Sequence, residues 1–253
     1  MDTIKRHNKL SEKQIKILIV IYRFRFITIP LLAKYNLVSN QSIAGSLKVL
    51  DEMGLIEKRY ISSYRIQGKA ARYFLSPKAI KLFKDNEDIN QHSLNLFYKT
   101  KLLSEDACDS HIQTLQTYID YKAKLADNYT LKTKYELYKH EDQPDPPSHI
   151  YAHSNNKQQS DVFIEIHNNQ QTFVIQKRLT YLAEFIEDNY EDKQPKVILI
   201  TNNNNKKLGK IIENINEEYS DQETLILWDL VWYRGVRFIV VVWSSVISIE
   251  SIY

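Results

Sequence analysis

Between Ser11 and Asn86 the apolar residues change period twice, and that succession limits the fold more than any other feature of the chain. Ser11, followed three residues later by Gln14, makes a capping-box pattern, and Ile15, Leu18, Ile19 and Tyr22 then recur at helical spacing. Phe24 to Ile27 reads as a connector. Thr28 caps a short second helix, Ile29 to Tyr35, with Pro30 near its first turn. Asn36 to Ser39 is a turn, after which Ser39 or Asn40 caps a third helix that runs to Met53 and stops at Gly54. The pattern then becomes that of strands: LIEKRYIS, a polar tip SYRIQGKA, and RYFLS. Ser76-Pro77 opens a further helix, Lys78 to Asn86. Three helices, a two-stranded ribbon and a helix, in that order, predict a winged helix-turn-helix.

The third helix carries Ile43, Leu47, Leu50 and Met53 on one face. At 100° per residue, Gln41, Gly45 and Lys48 point the other way. Gly45 costs a helix about 1 kcal/mol, but it lets another backbone come close. In a winged helix the third helix enters the major groove and the ribbon tip reaches an adjacent groove or the backbone. Asn40, Gln41, Ser42, Gly45 and Lys48 are therefore the candidates for base edges or nearby phosphates. Lys58, Arg59, Arg65, Lys69 and Arg72, interleaved with Tyr60, Tyr64 and Tyr73, are the candidates for phosphates on and around the wing.

Charge points the same way. Residues 1–86 hold 17 Lys and Arg against 6 Asp and Glu, a net +11, whereas residues 87–253 carry −8. A strongly basic domain followed by an acidic one implies that the first meets a polyanion, here double-stranded DNA. A winged helix used for protein contacts is the competing reading.

Composition excludes several other classes. With one cysteine, Cys108, there is no disulfide framework and no Cys-based zinc site, and the chain fits a reducing cytosol. Five glycines leave little room for phosphate loops, and neither G-x-G-x-x-G nor G-x-x-x-x-G-K-[ST] occurs. The opening MDTIKRHNKLSEKQ has no apolar core, so no signal peptide is expected. The most apolar stretch, Val236 to Ile249, is broken by Arg237, Ser244, Ser245 and Ser248 and reads as buried strands, not as a membrane span. A cytoplasmic protein without a membrane partner is expected.

The remainder alternates between the two periods. Asn90 to Lys124 predicts two helices or one broken helix, with His92 as a packing residue. Strands are expected at Leu131 to Tyr138, Ile150 to Ala152, Asp161 to His167 and Lys196 to Thr201, the last a fully apolar run of the kind buried in a sheet. HEDQPDPPS, from His140 to Ser148, is a proline-rich turn region. Helices are expected at Thr172 to Asp188 and, after the loop Asn202 to Asn205, at Lys207 to Glu218. Leu225 to Trp228 and Phe238 to Trp243 add β-rich runs, and residues 229–253 are read as terminal strands closing the sheet. The expected fold is α/β overall: a winged helix at 1–88, a helical connector at 89–130 and a mixed-sheet α/β domain at 131–253.

Four stretches taken in order, GLIEKRY with ARYFLSPKAIKLF, QHSLNLFYKTKL, PDPPSHIY with DVFIEIH, and KVILIT with its polar loop, resemble the plasmid replication-relaxation family over about residues 8–230. The resemblance implies a winged helix joined to a domain similar to PD-(D/E)xK nucleases, working in replication or transfer of a plasmid or other mobile element. A nuclease of that kind needs two carboxylates for Mg²⁺ and a lysine two residues beyond the second. Asp145 matches the first acidic position and Glu165 the second, but position 167 is His, and Lys177 on the following helix is the candidate substitute. The expectation is a degenerate, inactive nuclease-like domain that needs no cofactor. A Mg²⁺-dependent endonuclease using Asp145, Glu165 and Lys177 is the first alternative, and a winged-helix transcriptional regulator the second. His149 and His153 could share a neighbourhood with His167, but no histidine pair has helical ligand spacing with supporting residues nearby, so no metal site is expected. A replication or transfer protein is the expected partner, with a homodimer through the helix Leu94 to Lys101 as the candidate assembly.

Overall fold

The computed structural model describes residues 10–84, 86, 89–125, 128–137, 148–167, 170–190, 195–201, 225–233 and 236–244, the last two as strand backbone. The chain forms two compact units, Met1–Lys124 with Tyr135–Asp145, and Leu125–Lys134 with Pro146–Tyr253.

The first unit opens with α1 (Glu12–Phe24), and the Ser11–Gln14 capping box is formed in full. Thr28 caps α2 (Ile29–Asn36) and Ser39 caps α3 (Asn40–Glu52), each accepting a backbone N–H with its hydroxyl. Gly54 follows at φ 68°, where a side chain would be strained. β1 (Ile56–Arg59) and β2 (Arg72–Leu75) pair antiparallel, with Ile56 opposite Leu75 and Arg59 opposite Arg72. The connector after α1 adds a single bridge from Ile27 to Tyr73. The stretch expected as an open polar tip contains a helical turn, α4 (Ser62–Ile66). Tyr64 is its anchor: the ring is buried and its hydroxyl donates to Glu105 Oε2 at 2.6 Å. α5 (Pro77–Phe83) follows, capped by Ser76.

Residues 89–124 belong to this unit and are not a separate connector. α6 (Gln91–Leu96) runs into a 3-10 turn (Phe97–Leu102), and α7 (Glu105–Leu125) comes next. Their apolar faces are consumed internally. Cys108 packs with Phe26 and Phe74, Tyr118 meets Phe24 edge-on at 5.0 Å, and Phe97 stacks on Tyr22 at 5.5 Å. Leu94, Phe97 and Thr100 are buried inside the protomer, which removes them from the expected dimer surface.

The second unit is a six-stranded sheet in the order β3-β4-β5-β6-β8-β7. β3 (Tyr129–Thr133), β4 (Ile150–Ser154) and β5 (Val162–His167) form an antiparallel meander. β3 ends sooner than expected, because Lys134–Leu137 turns into a short helix, α8. α9 (Thr172–Asn189) returns the chain so that β6 (Lys196–Thr201) lies parallel to β5. β7 (Leu225–Tyr233) and β8 (Val236–Ser244) extend the sheet, with β8 antiparallel to β6. Asn202 to Asn205, the helix expected at Lys207 to Glu218, and residues 245–253 lie outside the described residues. One core face is made by Phe163, Val197 and Leu199 against Ile175, Leu179, Leu182, Ala183 and Ile186 of α9.

Every residue of β5 is buried, as expected for an interior strand covered on both faces. Strand alternation places Phe163, Glu165 and His167 on a common face. Phe163 packs against α9, so Glu165 and His167 lie on the covered face. A carboxylate there must be paired to remain charged.

Candidate functional site

Glu165 has no solvent exposure, and its two oxygens are used differently. Oε1 lies 3.4 Å from Arg178 Nε of α9. Oε2 lies 3.0 Å from His149 Nδ1, just before β4, and 2.9 Å from His167 Nε2, two residues along β5. The two imidazole rings stand nearly perpendicular, at 86°, with centroids 5.4 Å apart. One donor atom from each of His149, Glu165 and His167 falls within 4.8 Å of the others, so this is where the described residues could hold a metal ion.

Electrostatics favour an ionised carboxylate at Glu165. Burial alone raises the Glu165 pKa, but His149 and Arg178 outweigh it and hold the carboxyl well below its usual range. Burial pushes the His149 ring down, against the pull of Glu165. His167 Nδ1 is 2.6 Å from Gln170 Oε1, which fixes that ring from its other side.

The residues proposed for nuclease chemistry are placed as follows. Glu165 is central. Lys177 is exposed on α9, and the helix residue that reaches Glu165 is its neighbour Arg178. Asp145 lies outside the described residues. His153, expected near His149 and His167, is exposed and sits 3.1 Å from Asp161. Neither Arg178 nor Gln170 was singled out from the sequence. The signal for Arg178 was present: Ile175, Leu179 and Leu182 define the buried stripe of α9, and residue 178 borders it while 177 faces away.

The nucleic-acid candidates in the first unit divide into two groups. Asn40, Gln41, Gly45 and Lys48 are exposed on α3, opposite buried Ile43, Leu47 and Leu50. Ser42 is half-buried and its hydroxyl accepts from Lys13 Nζ at 2.6 Å. Lys58 and Arg65 are exposed on β1 and α4.

The other three wing cations are corrected by the structure. Arg72 is only 2% exposed; its guanidinium pairs with Glu105 (3.2 Å) and Asp109 of α7 and covers the Tyr64 ring at 4.7 Å. Arg59 pairs with Glu105 and donates to Leu103 O at 2.8 Å. Lys69 pairs with Asp109 at 2.9 Å. The acids that bind them lie more than thirty residues further on, so the basic run could not show their pairing. Counted over the structural unit, 1–124 with 135–145, the net charge is +6, not the +11 of residues 1–86.

Among the described residues, no helix is long and apolar enough to cross a membrane. No family model, no curated protein and no solved structure matches this chain.

Proposed function

We propose that the first unit is a winged helix that binds duplex DNA, with α3 in the major groove. The chain then acts in the cytoplasm as an accessory or regulatory protein of a plasmid or other mobile element, in replication or transfer. The second unit serves as a nuclease-like module for assembly or for contacting a replication or transfer protein. The biological setting rests on the resemblance to the replication-relaxation family; the DNA reading stands on the residues.

The observation that carries it is the outer face of α3. Asn40, Gln41 and Lys48 are exposed there, a suitable set for base edges and phosphates. Gly45 sits between them, and a Cβ added to it would meet nothing within 4 Å. Packing inside the protein therefore does not demand glycine at this helical position, whereas close approach of a DNA backbone does. Lys58 and Arg65 supply exposed positive charge beside it.

Mg²⁺-dependent cleavage by Asp145, Glu165 and Lys177 has less support. Position 167 offers an imidazole where that chemistry wants an ammonium, and Arg178 occupies the place against Glu165 that Lys177 was to take.

A salt-titrated anisotropy assay on the full chain, with and without Mg²⁺ and with the DNA inspected afterwards, tests the proposal. Binding with a steep salt slope and intact DNA supports it. Absence of binding at low salt overturns it, and Mg²⁺-dependent cleavage abolished by Glu165→Ala replaces it with the enzyme reading.

A further inference from the structure

We infer that His149, Glu165 and His167 form a binding site for a divalent transition metal of the zinc class. This inference is independent of the DNA reading and concerns the second unit alone.

The convergence of donor atoms carries the argument. His167 is buried, and its Nδ1 lies 2.6 Å from Gln170 Oε1, a group that only accepts. Nδ1 therefore donates to that oxygen, and Nε2 is the nitrogen that faces the cluster. That Nε2 is buried and makes no hydrogen bond, although Glu165 Oε2 is 2.9 Å away. His149 Nδ1 lies within hydrogen-bond distance of both the Ile166 backbone N–H, at 3.3 Å, and Glu165 Oε2, at 3.0 Å, so it faces the same point. Two ring nitrogens and a carboxylate oxygen thus converge within 4.8 Å of one another, with Glu165 and His167 buried and His149 half-buried.

A metal ion resolves this geometry. Metal–nitrogen and metal–oxygen bonds of about 2.0–2.2 Å put neighbouring donors roughly 2.9–3.4 Å apart at angles between octahedral and tetrahedral. The two contacts to Oε2, at 3.0 and 2.9 Å, sit at the short end of that range. The near-perpendicular rings approach from different sides. Gln170 on His167 and Arg178 on the far carboxylate oxygen are the outer partners that orient ligands of this kind.

The donor set decides the class of ion. Two imidazoles and one carboxylate suit Zn²⁺, Co²⁺ and their neighbours, while Mg²⁺ prefers oxygen donors and keeps its waters. A lysine at 167 would place its own charge at this point; the histidine places an imidazole nitrogen there instead. Three protein ligands leave a coordination position for water or a phosphate oxygen.

The test uses untagged full-length protein and Co²⁺ as a spectroscopic probe. The expected result is visible absorption that saturates at one equivalent, is displaced by one equivalent of Zn²⁺, and survives a thousand-fold excess of Mg²⁺. His149→Ala and His167→Ala should each weaken binding at least 100-fold, and Gln170→Ala about 10-fold. His153→Ala, at a histidine outside the cluster, should leave binding unchanged. Variant folding is checked by circular dichroism, and the wild-type titration decides even if a variant does not fold. No saturable absorption in folded wild type overturns the inference, as does binding that His153→Ala removes and His167→Ala leaves intact. Equal competition by Mg²⁺ overturns the assignment of class.

Discussion

Replacing Arg72 by alanine separates a structural role from a DNA-contacting one. Arg72 is buried on β2, bridges Glu105 and Asp109 of α7, and lies flat on the Tyr64 ring. Breaking a buried ion pair by removing one partner costs about 3–5 kcal/mol. Here both acids keep roughly a third or more of their side-chain surface in water, which lowers that figure. The lost cation–π contact over buried Tyr64 adds about 1 kcal/mol. The expected net cost is about 2–4 kcal/mol, confined to the first unit. Urea denaturation followed by far-UV circular dichroism reads this helix-rich unit. All three tryptophans, Trp228, Trp232 and Trp243, belong to the second unit and report it separately. With a urea slope of about 2 kcal/mol per molar, the helical transition should move down by roughly 1–2 M while the tryptophan transition stays put. A midpoint shift below about 0.3 M, together with a several-fold loss of DNA affinity, would refute the argument and return Arg72 to the interface.

Three further outcomes follow from particular residues. Gly45→Ala should stabilise the first unit by about 1 kcal/mol, since nothing crowds the new methyl group, and should weaken DNA binding; a gain in stability with unchanged affinity removes α3 from the groove. Lys58→Ala combined with Arg65→Ala should flatten the salt dependence of DNA binding by about two units of slope across all sequences, whereas Gln41→Ala should change sequence preference; anisotropy on a panel of duplexes distinguishes the two. Phe163→Ala should cost the second unit about 3–5 kcal/mol in urea monitored by tryptophan fluorescence, because that ring joins β5 to α9 and stacks on Tyr151 at 5.0 Å; a change under 1 kcal/mol means this core is not formed as described.

Local signals in the sequence translated directly into local structure. The caps at Ser11, Thr28 and Ser39 open the helices they were expected to open, and Gly54 takes the backbone angle that ends α3. KVILIT is strand β6 at its expected limits, and DVFIEIH is β5 less its first residue. These features depend on neighbours within a few residues, which a sequence displays side by side. The tip of the wing is the instructive failure. SYRIQGKA looks polar and open, yet Tyr64 turns inward because Glu105, forty-one residues away, receives its hydroxyl.

The candidate site shows the same division. Histidine at 149 and 167 and glutamate at 165 were visible as residue types, and strand alternation alone places 165 and 167 on one face. The choice of His149 over His153 was not visible. It depends on the β4–β5 register, in which Ile150 lies opposite Ile164, so that the residue before Ile150 reaches the far end of β5. Likewise, whether Arg59, Lys69 and Arg72 face DNA or face inward depends on where α7 comes to rest. By itself the sequence determined where the capped helices α1 to α3 begin and where β5 and β6 run, because capping and apolar period act over one or two turns of chain. Only the tertiary structure decided which charges are already neutralised and which donors share a point in space, because those pairings join residues that the chain keeps far apart.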